Sequence, residues 1–223
     1  NDGDIIIVDR NLISEIDTIN DYKFISIESS EHSKEFDNIS IIIEQLLNFN
    51  ITKENKIIAI GGGITQDVVS FISTILFRGV EWIFYPTSLL SQGDSCIGGK
   101  SSINFKNYKN QLGTFYPPSQ VIIDTNLLAS LNDSDYISGL GEMLHFYLVS
   151  SEKDFNYYKN TYKTNIKKLV KRCLEIKKEF IEIDEFDKKE RLLLNYGHTF
   201  GHAIESVCNY EIPHGIAVCL GMD

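Results

Sequence analysis

The sequence predicts an α/β domain over residues 1–125 followed by a helical domain over residues 126–223. Short apolar runs alternate with helical periods in the first part, which is the pattern of a parallel sheet covered by helices. The run at residues 56–60 leads directly into three glycines, as at a tight strand-to-helix turn. From residue 134 onward, the patterns are helical throughout.

In the first domain, the apolar runs and the spacing of apolar residues predict each strand and helix in turn. Apolar runs typical of strands buried on both faces lie at residues 4–8, 24–27, 56–60, 81–85 and 120–124. Apolar residues three and four apart predict helices over residues 38–49 and 65–77. Residues 91–104 are polar and rich in glycine, and we predict a loop dense in hydrogen-bond donors there.

In the second domain, the same reasoning predicts a helix over residues 139–149, which carries Glu142 and His145. A long amphipathic helix follows at residues 165–183, a break at residues 186–189, and then a helix that bears histidines. An apolar helical pattern runs almost to the last residue. We therefore expect this domain to be incomplete here and to continue beyond residue 223.

Composition and charge exclude several classes of function. The net charge of -10 argues against a nucleic-acid surface, for which basic stripes are expected. No apolar run approaches the length that spans a membrane, and the opening residues do not resemble a signal peptide. The four cysteines form no CxxC pair, and we interpret them as reduced thiols of a cytoplasmic protein. Cys96, in the glycine-rich loop, is the thiol whose reactivity needs a check.

Two glycine-rich stretches have both a ligand-binding and a structural interpretation. Glycines 61–63, before a helix N-terminus, suit a phosphate, or equally a turn that is only structural. The sequence around Lys100 resembles a P-loop, but Asp94 occupies the position of its first glycine, so a nucleoside triphosphatase is rejected. The lysines of this loop suit an anionic small molecule; solvated lysines are the alternative, which we prefer for Lys106.

Three of the five histidines lie between residues 198 and 214. His198 and His202 are spaced i, i+4, so a helix presents both imidazoles on one face. Such a pair can bind one metal ion, or it can be two hydrogen-bonded histidines with no ligand. The third histidine, His214, and the nearby glycines favour a metal site.

Together these motifs resemble 3-dehydroquinate synthases and the wider sugar-phosphate cyclase family, almost from end to end. The resemblance is carried by the order and spacing of short motifs: glycines 61–63 with Asp67; Arg78-Gly79; residues 86–90; Asp94-Ser95 with Gly98-Gly99-Lys100; Lys109-Asn110; residues 139–142; and the histidine stretch. It implies an N-terminal NAD-binding α/β domain and a C-terminal helical metal-binding domain.

The resemblance also implies the metal ligands. Zinc, with cobalt or another divalent metal as an alternative, is then held by Glu142, His198 and His214. His202 faces the substrate instead, whereas its spacing from His198 alone would make it a ligand. We follow the resemblance on this point.

Further site residues follow from the resemblance. It implies NAD contacts from Asp9, Asn11, Glu31, Lys34, Gly62, Gly63, Asp67, Thr87, Ser88 and Lys109. It implies catalytic or substrate contacts from Asp94, Lys100, Asn110, His145, Lys177, Arg191, Asn195 and His202. Arg78 would reach the substrate phosphate of a neighbouring subunit, which implies a homodimer.

The implied activity is that of a carbon–oxygen lyase in the shikimate pathway, which supplies aromatic amino acids. A phosphorylated sugar acid, 3-deoxy-arabino-heptulosonate 7-phosphate, becomes 3-dehydroquinate and phosphate. The implied steps are transient oxidation by NAD, elimination of phosphate, re-reduction and an intramolecular aldol closure. NAD is regenerated and acts as a true cofactor.

Three positions depart from the family pattern. His145 replaces a lysine, Gln66 a glycine, and Cys96 a serine. These departures bear on the substrate and keep other cyclases open, of the 2-deoxy-scyllo-inosose or valiolone type. A metal-dependent polyol dehydrogenase of the same fold and a homologue that only binds its ligand are further alternatives. Arg191 and Asn195 favour the dehydroquinate reaction, since cyclases acting on substrates without a carboxylate tend to lose them.

Overall fold

The computed structural model describes residues 3–16, 18–106, 108–209 and 211–223. The chain forms two compact units. The first holds the residues up to Thr87 together with Gly99–Asp124, and the second holds Ser88–Gly98 together with Thr125–Asp223. Residues 88–98, which the predicted boundary near residue 125 places in the first domain, therefore pack with the helices of the second unit.

The first unit is built on a parallel sheet. Its strands are β1 (Ile5–Asp9), β2 (Phe24–Ile27), β3 (Ile57–Gly61), β4 (Trp82–Pro86) and, further along the chain, β7 (Gln120–Val121). The spatial order is β2-β1-β3-β4-β7, and every neighbouring pair is parallel. All five residues of β1 are buried, as its apolar run predicts. The first four predicted strands are confirmed, and the fifth is shorter than the predicted 120–124.

Two helices of this unit confirm the helices predicted from the spacing of apolar residues. They are α1 (Phe36–Asn48) and α2 (Gly63–Ile75). The prediction placed the end of α2 at residue 77, which is wrong. The chain leaves the helix at Leu76, where ψ is 122°. Phe77, Arg78 and Gly79 then take positive φ angles of 50°, 61° and 119°, and left-handed backbone cannot continue a right-handed helix.

An antiparallel hairpin of β5 (Lys100–Phe105) and β6 (Tyr108–Phe115) was not predicted. The loop prediction for residues 91–104 is wrong from Lys100 onward. Polar contacts to α2 support this hairpin, since Thr114 Oγ1 lies 3.0 Å from Thr74 Oγ1 and 2.7 Å from Ser101 Oγ. Hydroxyl pairs of this kind leave no apolar run by which the strand can be recognised.

The second unit is helical, as predicted. Its helices are α3 (Asp133–Ser150), α4 (Glu152–Thr161), α5 (Ile166–Ile183), α6 (His198–Val207) and α7 (His214–Met222). Their core contains Leu89, Met143, Phe146, Tyr147, Leu169, Cys173 and Ile176. Leu89 belongs to this core, which explains why residues 88–98 fold with the helices. Ser91–Ser95 in that segment form one π-helical turn rather than an open loop.

Within the ranges described above, none of the helices combines the length and the apolar composition that crossing a membrane requires.

Candidate metal and cofactor sites

Close packing of α3 against the start of α7 places Glu142 beside His214. A Cβ atom on Gly215 would lie 1.8 Å from the carbonyl oxygen of Ser138, and one on Gly141 would lie 2.4 Å from the carbonyl oxygen of Gly215. The Gly215 amide donates to Ser138 Oγ at 2.9 Å. Only glycine permits this approach at either position, so the two glycines bring the helix that carries Glu142 against the first residue of α7.

His198 and His214 both direct Nε2 at Glu142. His198 Nε2 lies 3.6 Å from Glu142 Oε1, and His214 Nε2 lies 3.4 Å from Glu142 Oε2. The Nδ1 atoms face other acceptors: the carbonyl oxygen of Tyr196 at 3.4 Å for His198, and both carboxylate oxygens of Glu205 at 3.2 Å for His214. The structure therefore brings together the three predicted metal ligands.

The charges of this cluster suit a cation. Burial raises the pKa of Glu142, but the contact with His198 and the nearby imidazoles of His145 and His214 outweigh it and lower that pKa to about 2. Burial lowers the pKa values of His198 and His214, and the adjacent carboxylates raise both above their usual value. The carboxylate of Glu142 is therefore ionised and available to a metal ion.

The donor set fits a divalent metal. Ligand atoms of Glu142, His198 and His214 all lie within 4.8 Å of one another. Ligands bound to zinc tetrahedrally at about 2.0–2.1 Å are about 3.4 Å apart, close to the separations seen here. Glu142 Oε2 is buried without a hydrogen-bond donor among the described residues. A buried carboxylate oxygen with no hydrogen-bond donor fits the role of a ligand to a cation.

A second set of potential ligands overlaps the first. His202, Glu205 and His214 also offer atoms within 4.8 Å of one another. The ring centroids of His198 and His202 are 5.5 Å apart, as the i, i+4 spacing predicts. His214 belongs to both sets, because its Nε2 faces Glu142 and its Nδ1 faces Glu205. That His202 faces substrate rather than metal stays a prediction.

His145 is fully buried beside the cluster. Its Nδ1 lies 3.7 Å from Glu142 Oε1, and its ring centroid lies 5.2 Å from that of His198. Neither ring nitrogen has a hydrogen-bond partner in the part of the chain that the structure describes. Burial lowers the pKa of His145 more than Glu142 raises it, so the imidazole is neutral near pH 7. A lysine at this position would carry a charge, so the substitution changes the chemistry next to the cluster.

Three predicted substrate residues have defined places in the second unit. Lys177 is buried and donates from Nζ to the carboxylate of Asp94 at 2.7 Å. Arg191 is also buried, and its Nη1 donates to the carbonyl oxygen of Glu185 at 2.6 Å. The Asp184 carboxylate accepts hydrogen bonds from the backbone amides of Lys188, Lys189 and Arg191. The Asp184 carboxylate thereby holds the turn from which Arg191 projects. Asn195 and His202 are exposed.

The first unit holds most of the predicted NAD contacts, and a polar network joins several of them. Lys34 Nζ lies 2.9 Å from Asp67 Oδ2 and donates to Asn110 Oδ1 at 2.9 Å. Asp67 accepts from the amide and hydroxyl of Ser102, each at 3.0 Å. Glu31 accepts from Asn104, and Lys109 lies 3.9 Å from Glu31. Asn110, predicted to contact substrate, therefore lies among the predicted NAD residues.

The remaining predicted NAD residues lie at strand ends. Asp9 ends β1 and accepts from the amide of Asn11 at 3.0 Å. Gly62 is the N-cap of α2, and a Cβ on Gly63 would meet no atom within 4 Å. Thr87 follows β4, and its backbone amide donates a hydrogen bond to the carbonyl oxygen of Gly61 at 2.9 Å. Ser88, the last of the predicted NAD residues, belongs to the second unit. Lys100, which is predicted to contact substrate, lies at the start of β5 in the first unit.

Two family models match the chain in succession. The model described as 3-dehydroquinate synthase N-terminal matches residues 24–138, and that described as 3-dehydroquinate synthase C-terminal matches residues 139–223. The chain belongs to the 3-dehydroquinate synthase family. This confirms both the predicted family and the predicted fold class.

Individual members of the family and of its fold agree with this assignment. A 3-dehydroquinate synthase from Clostridium perfringens (strain 13 / Type A) is 42% identical over 205 residues, which are 89% of this chain and 59% of the relative. The chain thus spans about three fifths of that relative's length. A 2-deoxy-scyllo-inosose synthase, solved with carbaglucose-6-phosphate, NAD+ and Co2+, is 27% identical, with a TM-score of 0.87 over 98% of this chain and 65% of that chain.

More distant proteins share the fold alone. A probable glycerol dehydrogenase from Sinorhizobium meliloti 1021 has a TM-score of 0.61 at 13% identity, over 98% of this chain and 68% of that chain. The fold by itself therefore does not separate a family cyclase from a dehydrogenase. The matched family models make that distinction.

Sequence reasoning missed three residues in these sites. Ser102 and Asn104 lie in the stretch predicted to be a loop, and only their pairing within the hairpin places them beside Asp67 and Glu31. Glu205 lies in the histidine stretch, seven residues after His198, but its contact with His214 depends on the turn between α6 and α7. Cys96 is buried, and burial raises its pKa to about 12, so this thiol is not a reactive one.

Proposed function

We propose that this member of the 3-dehydroquinate synthase family converts 3-deoxy-arabino-heptulosonate 7-phosphate to 3-dehydroquinate and phosphate. The observation that carries the proposal is the cluster of Glu142, His198 and His214, with both Nε2 atoms directed at one buried carboxylate. Two nitrogen donors and one oxygen donor leave positions open for substrate oxygens, as at a catalytic zinc site.

The divalent metal and the NAD that the family uses have complementary chemistry. A divalent metal held by Glu142, His198 and His214 would supply Lewis-acid chemistry, and NAD would supply reversible hydride transfer. Lys34 and Asp67 hold each other and orient the polar wall of the NAD site. Gly63, with open space beside it at the start of α2, leaves room for the cofactor's phosphates at the helix N-terminus.

Buried cations suit a substrate with two anionic groups. Lys177 and Arg191 are both buried in the second unit. Guanidinium binds carboxylate or phosphate in a bidentate manner, and ammonium acts as a point charge. We assign Arg191, with Asn195, to the carboxylate that distinguishes this substrate from those of the sister cyclases. His145, neutral and buried, contributes a hydrogen bond instead of the charge of a lysine.

The alternatives rank below this function for specific reasons. The 42% identity to a 3-dehydroquinate synthase exceeds the 27% identity to the 2-deoxy-scyllo-inosose synthase. A polyol dehydrogenase shares the fold, but the family models that match this chain are those of 3-dehydroquinate synthase. A homologue that only binds its ligand has no need of a complete metal-ligand set. We further propose a homodimer, with Arg78 reaching the neighbouring subunit's substrate, and a cytoplasmic location.

The test is an assay of the full-length protein with Zn2+, NAD and 3-deoxy-arabino-heptulosonate 7-phosphate. Phosphate release without net NADH is the expected result. Phosphate release from a seven-carbon or six-carbon sugar phosphate without a carboxylate, and none from the expected substrate, would instead indicate a sister cyclase. Net NADH from a simple polyol would indicate a dehydrogenase.

A matched pair of variants tests the metal site within this assay. Glu142→Ala should abolish both phosphate release and metal retention, because a buried ligand is lost. Glu211→Ala removes an exposed carboxylate from the same unit and should change neither. Unchanged activity and metal content in Glu142→Ala would overturn the proposed function.

A further inference from the structure

The imidazole of His214 lies between two carboxylates. Its Nε2 is 3.4 Å from Glu142 Oε2, and its Nδ1 is 3.2 Å from both oxygens of Glu205. His214 is the first residue of α7, and Glu205 is near the end of α6. Both carboxylate side chains are largely buried. Glu205 therefore contacts His214 on the side of the ring opposite to the metal ligand Glu142.

This arrangement decides which nitrogen of His214 is free for a metal. A neutral imidazole carries one proton, and a carboxylate next to Nδ1 keeps that proton on Nδ1 as a hydrogen-bond donor. The lone pair is then on Nε2, which points at the metal site. His198 has the same arrangement with a different acceptor, because its Nδ1 faces the carbonyl oxygen of Tyr196 at 3.4 Å.

We propose that Glu205 is a positioning residue for the metal centre. Its carboxylate fixes the tautomer and the ring orientation of His214 and makes Nε2 a better ligand. Acceptors in this outer position commonly contribute 10- to 100-fold to metal affinity. The inference rests on the proposed metal site at Glu142, His198 and His214, and it adds a residue that contacts neither metal nor substrate.

The rival interpretation makes Glu205 a ligand itself, in the set of His202, Glu205 and His214. If both sites are filled at once, His214 has to bind one ion through each nitrogen and lose its remaining proton. That proton already has an acceptor at 3.2 Å in the Glu205 carboxylate. Positioning therefore requires less change in the chemistry of His214 than a second ion does.

The test measures metal affinity directly, so it does not depend on turnover. Apoprotein is titrated with Co2+, and binding is followed by the visible absorption of the bound ion and by metal content per chain. Glu205→Ala should weaken Co2+ binding by about 10- to 100-fold. Glu205→Gln should lose less, because its amide oxygen still accepts from Nδ1–H. Glu211→Gln removes an exposed negative charge from the same unit and should bind like the wild type. Circular dichroism checks that each variant is folded.

Each outcome points to one interpretation. Equal Co2+ affinity in the wild type, Glu205→Ala and Glu205→Gln would overturn the positioning role while leaving the metal site itself intact. Two ions per wild-type chain and one in Glu205→Ala would make Glu205 a ligand and also overturn it. A wild-type chain that binds no Co2+ would remove the metal site, and the proposed function would fail with it.

Discussion

Lys177 donates twice to Asp94, to its carbonyl oxygen at 2.8 Å and to its carboxylate at 2.7 Å. The ammonium group also lies 5.8 Å from the ring centroid of Phe146. Only 6% of Lys177 is exposed. A buried ammonium group is tolerated because it is paired and hydrogen-bonded. This pair links the segment 88–98 to helix α5 within the second unit.

Replacing Lys177 should therefore destabilise the protein strongly. Lys177→Met leaves the carboxylate of Asp94 without its partner, and the loss of one member of a buried pair costs about 3–5 kcal/mol. Urea denaturation followed by circular dichroism measures the change. Lys178→Met, at the adjacent but exposed lysine, should change stability by less than about 0.5 kcal/mol. Equal stabilities of the two variants would contradict the role given to the pair.

The ion pair of Asp154 and Arg172 should make stability depend on pH in the acid range. Arg172 binds both carboxylate oxygens, at 2.8 and 3.0 Å, and this bidentate contact holds the pKa of Asp154 well below its usual value. Because the folded pKa lies below the unfolded value of about 3.9, the pair contributes stability above about pH 4. That contribution is lost as the pH falls through the folded pKa.

Unfolding measured from pH 7 down to pH 2 tests this dependence. Asp154→Asn should be less stable than the wild type at pH 7 by about 1.5–3 kcal/mol, and the difference should shrink below pH 4. Glu179→Gln is the control, since Glu179 contacts the same arginine at 3.6 Å but is mostly exposed. A difference between Asp154→Asn and wild type that stays constant over this range would refute the assignment.

Gly98 should resist substitution because of its backbone and its neighbour. Its φ angle is +101°, and a Cβ atom there would lie 2.3 Å from Arg191 Nη2. Gly98→Ala should cost about 1–2 kcal/mol for the backbone conformation alone. It should also displace the guanidinium and raise the KM for the phosphorylated sugar acid. Steady-state kinetics and urea denaturation measure the two effects, and an unchanged KM would show that Arg191 does not contact the substrate.

Gly63 should behave in the opposite way, since a Cβ there meets no protein atom within 4 Å. Gly63→Ala, in the first turn of α2, should leave stability unchanged or raise it by up to about 1 kcal/mol, because alanine favours the helix. If the open space admits the phosphates of NAD, the methyl group should weaken NAD binding at least tenfold. Calorimetric titration with NAD measures this affinity.

Gly61→Ala is the matched comparison for Gly63→Ala. A Cβ on Gly61 would lie 2.2 Å from Thr65 Oγ1, so this variant should lose stability as well as affinity. An affinity for NAD that is unchanged in Gly63→Ala would remove Gly63 from the cofactor site.

Strands β1 to β4 could be predicted because burial on both faces leaves an apolar run in the sequence. The hairpin of β5 and β6 could not, because contacts such as Ser101 with Thr114 stabilise it and a hydroxyl-rich strand resembles a loop. The left-handed residues Phe77 and Arg78 likewise have no signal in their residue types, so the end of α2 was placed too late.

The metal cluster shows how far spacing can predict a site. The interval between His198 and His202 predicts imidazoles on one helix face, and their centroids do lie 5.5 Å apart. Spacing does not show which ring nitrogen faces a metal, because that depends on acceptors such as Tyr196 and Glu205 from other turns. The resemblance to the family supplied Glu142, which is 56 residues before His198 in the sequence and adjacent to it in the fold.

Because residues 88–98 pack with the helices, neither unit is a single stretch of chain. Asp94 is separated from Lys177 by 83 positions, so on the ribosome it emerges long before its partner has been synthesised. Contacts at such separations form late, since a long loop must close first. The helical unit therefore cannot form this contact until α5 has been synthesised. A proteolytic cut at residue 124 would place Asp94 and Lys177 on separate fragments, held together by contacts such as this one.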